Sequence, residues 1–117
     1  MILDTGRLFA RLLQPFAIDV VCDIGSLNGA DALCFRRSAP RATIIAFEAN
    51  PDNYRAMAAS QALRRAHIDL SFCALAATNG EATFYVVTPR GPEDLARRGM
   101  SSLYQRAHPA HRGAPVR

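Results

Sequence analysis

The chain has 117 residues, half of them hydrophobic and 21% charged, which indicates one small globular domain and excludes a disordered chain. The net charge is +4, but the 14 basic residues, all of them Arg, are dispersed rather than clustered with aromatic residues, so no nucleic-acid partner is expected. Asp4, Arg7 and Arg11 interrupt the apolar residues near the N-terminus, so neither a signal peptide nor a membrane partner is expected. Three cysteines without a C-x-x-C spacing favour a reducing, cytoplasmic location, with Cys22 and Cys73 as small buried hydrophobic residues.

The first two predicted elements are a helix and a strand. Apolar residues between positions 8 and 16 recur at helical spacing, and Pro15 ends the pattern, so residues 1–17 are assigned to an N-terminal amphipathic helix. Residues 18–24 are mostly β-branched and apolar, and they run into a turn that contains glycine. This run predicts a strand that is buried on both faces, as in a parallel sheet.

A helix, a strand and a second helix are predicted next. Residues 30–37 predict a helix, and residues 42–47 predict another buried strand. Asn50 is the expected N-cap of the following helix, and Pro51 is its expected first residue. The residues that follow keep a roughly helical periodicity to about Arg65, so the helix is expected to extend that far.

The remaining predicted elements are two strands and an irregular tail. Residues 68–73 alternate between apolar and polar and predict a third strand. An Asn-Gly turn leads to a further strand at residues 82–87. Beyond it Pro, Gly, Arg and His dominate without a period, which indicates loop, with one short helical stretch at residues 92–98 and a flexible tail at residues 105–117.

The order of helices and strands predicts the fold class. Strands that alternate with helices indicate an α/β, Rossmann-like, doubly wound sheet over residues 18–104. Right-handed crossovers place its three strands in the order 3-2-1, and an extra antiparallel strand is expected beside them. A ligand binds such a sheet beyond the carboxyl ends of its strands. The residues that follow each strand are therefore the candidates for function.

The first candidate motif is the turn at residues 23–29, directly after the first strand. Gly25 lets the backbone approach a ligand, and the next helix points its N-terminal amide groups toward that ligand. The turn lacks the G-x-G-x-x-G spacing of dinucleotide-binding sites. A carboxylate at Asp23 suits a ligand that carries an ammonium and a sulfonium better than it suits an anionic pyrophosphate. The alternative is a glycine-containing turn that binds no ligand.

The second candidate is Glu48, which follows the second strand. A carboxylate at this place can accept hydrogen bonds from both ribose hydroxyls, and it would repel a 2′-phosphate. The alternative is an exposed carboxylate near the start of the helix that follows Asn50. Residues 73–76, after the third strand, are small and apolar, so they can form the wall of an adenine site or simply pack in the core.

A metal site is not expected. His108 and His111 are close in sequence, but Pro109 between them prevents a regular helical pair. No third ligand has a suitable spacing, and zinc sites need three or four protein ligands. No arrangement of Ser, His and Asp, or of Cys and His, identifies a catalytic residue.

Taken together, these segments resemble the FkbM-type class I S-adenosylmethionine-dependent methyltransferases. That family shows D-x-G-A-x-x-G, A-F-E-P-N-P, an Ala-rich segment after the third strand, and G-x-S-S-L. The matching segments of the chain are residues 23–29, 46–54, 72–76 and 99–103. Ser26 stands where the family has Ala, and Ala49 stands where it has Pro.

The resemblance implies S-adenosylmethionine as the cofactor and a set of residues that bind it. The implied cofactor-binding residues are Asp23, Gly25, Ser26, Asn28, Gly29, Glu48, Ala49, Ala74 and Leu75. The turn after the first strand would hold the methionine portion, Glu48 would hold the ribose, and the small residues would flank the adenine. The implied reaction is the O-methylation of a hydroxyl on a sugar or secondary metabolite. Ser101 and Ser102 would belong to the rim of the site.

Family members continue with further strands and a K-x-D-x-E-G-like segment that this chain lacks. The chain is therefore expected to be the cofactor-binding half of an incomplete sheet, with no catalytic or acceptor-binding residue assigned. The first strand would be an open sheet edge, through which copies of the chain are expected to associate. The alternatives are a non-catalytic cofactor-binding fragment and the nucleotide-binding domain of a dehydrogenase.

Overall fold

The computed structural model describes residues 4–87 and 101–104, and the backbone of residues 111–116. Its helices are α1 (Thr5–Leu13), α2 (Ala30–Ser38), α3 (Pro51–Ala59) and α4 (Gln61–Arg65). Its strands are β1 (Val20–Ile24), β2 (Thr43–Phe47), β3 (Ile68–Ser71), β4 (Ala82–Val87) and β5 (His111–Val116). In this part of the chain, none of the helices has the length and apolar character needed to span a membrane.

Strands β1, β2 and β3 form a parallel sheet with β2 in the centre. The register aligns Asp23 of β1 with Ala46 of β2, and Ala46 with Leu70 of β3. This arrangement confirms the α/β class and the strand order 3-2-1, and it leaves β1 at an edge of the described sheet. Because the strands are parallel, the carboxyl ends of all three lie at the same end of the sheet. The candidate residues follow these ends.

The core lies on one face of this sheet, beneath helices α2, α3 and α4. It contains Val21 and Ile44 from the strands, together with Phe35, Met57 and Leu63 from the helices. Helix α1 packs against α2, and the rings of Phe9 and Phe35 meet edge to face with their centroids 5.4 Å apart. Burial of such side chains is the main stabilising contribution in a domain of this size.

Strand β1 is not buried on both faces, contrary to the prediction from its composition. Val21 and Asp23 are buried, but Val20 is 54% exposed, Ile24 is 64% exposed, and Cys22 is also exposed. The prediction of a buried Cys22 was therefore wrong. The physical reason is that the helices of the described chain cover only the face to which Val21 and Asp23 point, so side chains at alternate positions stay in contact with solvent.

The helix that was expected to run from Asn50 to Arg65 is interrupted at Ser60. Asn50 is the N-cap of α3, as predicted, and its side chain accepts hydrogen bonds from the backbone amides two and three residues on. Ser60 has an extended backbone, and its hydroxyl accepts from the backbone N–H of Leu63, so it caps a new helix, α4. The interruption re-aims the chain so that Leu63 becomes almost completely buried, at 1% exposure.

Strand β4 has the predicted bounds, but it is not an extra strand of the parallel sheet. Within residues 4–87, 101–104 and 111–116, it pairs antiparallel with β5 in a separate two-stranded sheet. β5 lies in the stretch for which a tail was expected, and its Gly113 and Pro115 explain why its sequence carried no strand signal. The helix expected at residues 92–98 lies outside the described residues.

The guanidinium group of Arg36 connects three segments at the edge of the sheet where β2 and β3 begin. Its nitrogens donate to the backbone carbonyls of Pro40 and Ala42 at 3.1 and 2.6 Å, and to those of Ala66 and His67 at 2.8 and 2.9 Å. A guanidinium offers five N–H donors in a planar fork, which suits this arrangement of acceptors. Arg36 therefore ties the end of α2 to both loops that lead into the sheet.

We expect Arg36→Lys to lower the free energy of unfolding by about 1–3 kcal/mol, because an ammonium keeps the charge but cannot reach all four carbonyls. Urea unfolding followed by circular dichroism measures the change. Arg37→Lys is the matched control, since Arg37 is exposed and its hydrogen bond within the described residues goes to the sulfur of Cys34. Equal losses in the two variants would contradict the assigned role of Arg36.

Candidate functional site

A cavity of about 220 Å³ lies at the carboxyl ends of the three parallel strands. Ile24 and Phe47, the last residues of β1 and β2, line it together with Cys73, which follows β3. Phe84 of β4, Ser101 and Leu103 also line it. The volume is below the roughly 300–1,000 Å³ of clefts that enclose a whole drug-sized ligand. The cavity is therefore sized for one part of such a ligand.

Five of the nine residues selected from the sequence line this cavity. They are Gly25, Glu48, Ala49, Ala74 and Leu75. The other four, Asp23, Ser26, Asn28 and Gly29, belong to the turn between β1 and α2 but are not part of the cavity wall. The structure thus gathers the residues expected around ribose and adenine, and it places most of those expected around methionine behind or beside the wall.

The carboxylate of Glu48 is the polar centre of the site. One oxygen accepts from the backbone N–H of Leu27 at 2.7 Å, and the other accepts from the backbone N–H of Asn50 at 2.8 Å. Glu48 is buried, contrary to the alternative of an exposed carboxylate. Its backbone N–H also donates to Ser71 at the end of β3. One residue therefore joins the turn after β1, the start of α3 and the end of β3.

Leu27 adopts a left-handed backbone conformation, with φ of 60°, which is uncommon for a residue other than glycine. This conformation coincides with the hydrogen bond from its backbone N–H to Glu48 and with the contribution of Leu27 to the cavity wall. Such strain persists only where surrounding contacts hold it, and it is frequent at binding sites. The sequence showed no sign of this role, because leucine does not favour the left-handed region.

Asp23 lies under the turn, where its carboxylate accepts from the hydroxyl of Ser26 at 2.6 Å. Both residues are buried. Burial raises the pKa of Asp23 above the ordinary value of 3.8, and the charges of Asp31 and Glu48 raise it further, while hydrogen bonds from Ser26 and the backbone of Ala32 oppose the shift. In this structure Asp23 supports the turn from within rather than facing the cavity.

Asn28 and Gly29 form the entrance to helix α2. The side-chain oxygen of Asn28 accepts from the backbone N–H of Ala30 at 3.1 Å, and Asn28 is exposed. Gly29 has φ of 80°, and a Cβ atom there would lie 2.6 Å from a methyl carbon of the buried Leu63. Gly29 thus allows α2 and α4 to approach closely, which is a packing role.

Gly25 differs from Gly29 although both have positive φ. Its φ is 76°, but a Cβ atom built on Gly25 would meet nothing within 4 Å, and Gly25 lines the cavity. Its lack of a side chain therefore leaves space at the cavity wall, as expected for a close approach of ligand to backbone.

The sequence did not single out several apolar residues of the wall. These are Ile24, Leu27, Phe47, Phe84 and Leu103. Ile24 and Phe47 end their strands, so their position at the site followed from the strand prediction. Phe84 and Leu103 could not be found in this way, because β4 does not belong to the parallel sheet.

No group of His, Cys, Asp and Glu that could hold a metal ion occurs among the residues whose placement is described. His108 lies outside those residues, and only the backbone of His111 is described. The expectation that the chain holds no metal therefore stays a prediction.

Comparison with known proteins adds no relative. No family model matches the chain, and no curated protein matches it either.

We expect Gly29→Ala to destabilise the protein more than Gly25→Ala. Both variants place a side chain at positive φ, at a cost of about 1–2 kcal/mol, but only the new methyl group at position 29 would also collide with Leu63, which adds about 1–3 kcal/mol of overpacking. Urea unfolding of the two variants measures the difference. If both variants lose the same stability, the cost comes from φ alone and the packing role of Gly29 is wrong.

We expect the stability of the wild type relative to Asp23→Asn to fall as the pH rises above 3.8. A buried carboxyl with a raised pKa holds its proton more tightly in the folded state. Between the unfolded and folded pKa values the folded protein therefore binds more protons, and the free energy of unfolding decreases with pH. Urea unfolding of both proteins across this window measures it. Asp69→Asn, at an exposed position of β3, controls for the loss of one charge.

A wild type that instead gains stability relative to Asp23→Asn over the same pH window would show that the hydrogen bond from Ser26 outweighs burial.

Proposed function

We propose that this chain carries the cofactor-binding half of an S-adenosylmethionine-dependent methyltransferase of the FkbM type. The observation that carries the proposal is the position of Glu48, a buried carboxylate directly after the middle strand of a parallel sheet and in the wall of a cavity. In doubly wound sheets this is the place where an acidic residue accepts hydrogen bonds from ribose hydroxyls.

The hydrogen bonds of Glu48 leave room for this role. Each carboxylate oxygen has two acceptor positions, so the pair offers about four. The backbone N–H groups of Leu27 and Asn50 use one on each oxygen. Among the described residues, no further donor contacts either oxygen, so each has one acceptor position left for a hydroxyl, which matches the two hydroxyls of a ribose. The two backbone bonds also fix the carboxylate in place before a ligand binds, which reduces the entropy that binding costs.

The rest of the wall suits the adenine of such a ligand. Ala49 is buried beside Phe84, and Ala74 packs against them. Leu75 completes this apolar side and is 47% exposed, so a flat aromatic ring placed against it would bury further apolar surface. The size of the cavity fits an adenosyl group better than the whole cofactor.

When bound, S-adenosylmethionine supplies an electrophilic methyl group on a positively charged sulfur. Residues of this chain would hold the adenosyl end, and Gly25 leaves space for the cofactor to pass close to the backbone after β1. The acceptor that we propose is a hydroxyl of a sugar or secondary metabolite. Positioning of the two reactants and exclusion of water are the main contributions that a protein makes to such a transfer.

Isothermal titration calorimetry with S-adenosylhomocysteine tests this proposal. We expect binding to the wild type and roughly a ten- to 100-fold weaker affinity for Glu48→Gln, because hydrogen bonds to a charged acceptor contribute about 1.5–3 kcal/mol. Titration with NAD should give no comparable binding. Binding of NAD but not of S-adenosylhomocysteine would favour the dehydrogenase alternative instead.

Because Glu48 also holds two loops, a loss of affinity in Glu48→Gln has to be separated from a change in folding. The 2′-deoxyribose form of S-adenosylhomocysteine makes this separation. We expect this analogue to bind the wild type more weakly than the parent compound, and to bind Glu48→Gln about as well as the parent compound does. An analogue that loses affinity equally with both proteins would show that Glu48 does not contact the 2′-hydroxyl of the ribose.

A further inference from the structure

Ser101 lies in the wall of the cavity and is held there by strand β4. The neighbouring Ser102 forms a backbone bridge with Tyr85 of β4, with N–H to oxygen distances of 2.8 and 3.1 Å. The bridge brings this segment next to β4, and the two neighbours of Ser102, Ser101 and Leu103, line the cavity together with Glu48. Ser102 itself does not line the cavity.

The hydroxyl oxygen of Ser101 accepts two hydrogen bonds. The backbone N–H of Val87 donates to it at 3.1 Å, and the side-chain nitrogen of Asn50 donates to it at 3.3 Å. The orientation of the Asn50 amide is settled by its other end, because its oxygen caps helix α3 and accepts from the backbone N–H groups of Asp52 and Asn53. The amide nitrogen must therefore face Ser101.

This arrangement determines what the Ser101 hydroxyl can still do. A hydroxyl has two acceptor lone pairs and one donor proton, and Val87 and Asn50 occupy both lone pairs. In the part of the chain that the structure describes, no acceptor receives a hydrogen bond from this hydroxyl. Its remaining capacity is therefore that of a donor at the cavity wall.

We propose that Ser101 donates a hydrogen bond to a ring nitrogen of the bound adenine and so contributes to the selection of the ligand. This inference rests on the proposed function, which supplies an adenosyl ligand. The other polar side chains of the described wall are the Glu48 carboxylate, which only accepts, and the Cys73 thiol, which is a weak donor. Ser101 is thus the strong side-chain donor of the described wall. Adenine offers matching acceptors at its unsubstituted ring nitrogens.

Asn50 also connects the two recognition groups. Its backbone N–H donates to Glu48, and its side-chain nitrogen donates to Ser101. A single N-cap residue thereby orients the group that accepts from the ribose and the group that donates to the base. The two groups stand at a fixed separation before any ligand arrives, so the site recognises the adenosyl group as one unit.

Calorimetric titration of the full chain with the 1-deaza, 3-deaza and 7-deaza forms of S-adenosylhomocysteine tests the proposal. Each analogue replaces one ring nitrogen by carbon. We expect one of the three to bind the wild type about three- to tenfold more weakly than the parent compound, which is the effect of one net hydrogen bond. The same analogue should lose no affinity relative to the parent compound with Ser101→Ala. Ser102→Ala is the matched control and should behave like the wild type.

If Ser101 has only a structural role, Ser101→Ala should bind the parent compound and all three analogues with equally reduced affinity. That result would overturn the proposal. Three analogues that all bind the wild type as well as the parent compound would overturn it too, even if Ser101→Ala does not fold. Ser101→Cys keeps an acceptor and a weaker donor. The same analogue should therefore lose less affinity, relative to the parent compound, with Ser101→Cys than with the wild type. Failure of the parent compound itself to bind the wild type would instead reject the proposed function.

Discussion

The arrangement of the site depends on the two hydrogen bonds that the Glu48 carboxylate accepts from the backbone. They join the turn after β1, where Leu27 holds a left-handed conformation, to the N-cap of α3. A buried carboxylate is costly unless it is hydrogen-bonded, and these backbone N–H groups occupy one acceptor position on each of its two oxygens. The group that we propose to bind the ribose is therefore also the group that shapes the loops around it.

Arg36 holds the loops at the other end of the parallel sheet, where β2 and β3 begin. Where Glu48 accepts from backbone N–H groups at the carboxyl ends of the strands, Arg36 donates to four backbone carbonyls before the strands begin. Both residues satisfy loop groups that have no partner in a helix or sheet, which is a general requirement for buried backbone. In the part of the chain that the structure describes, these connections are thus held by single charged side chains, and the two ion pairs lie elsewhere, between Arg7 and Asp4 and between Arg55 and Asp52.

The burial of β1 shows where reasoning from composition stops. Its apolar residues suggested helices on both faces, and the strand itself and its parallel pairing were predicted correctly. Whether a face is covered depends on elements elsewhere in the chain, and in the described residues they cover one face only. Asp23 and Glu48 both lie near strand ends, but their surroundings differ. The carboxylate of Asp23 accepts a hydrogen bond from Ser26 in the turn before α2, whereas Glu48 lines the cavity.

The sequence by itself determined the elements of the parallel sheet, their order, the N-cap at Asn50 and the position of Glu48 after the middle strand. These features follow from local rules, since strand periodicity and capping preferences act over a few residues. Only the tertiary structure decided that β4 belongs to a separate sheet, that Phe84 and Leu103 line the cavity, and that Gly29 packs against Leu63. Those contacts join residues far apart in the chain, and their energy depends on shape and distance, which no local pattern encodes.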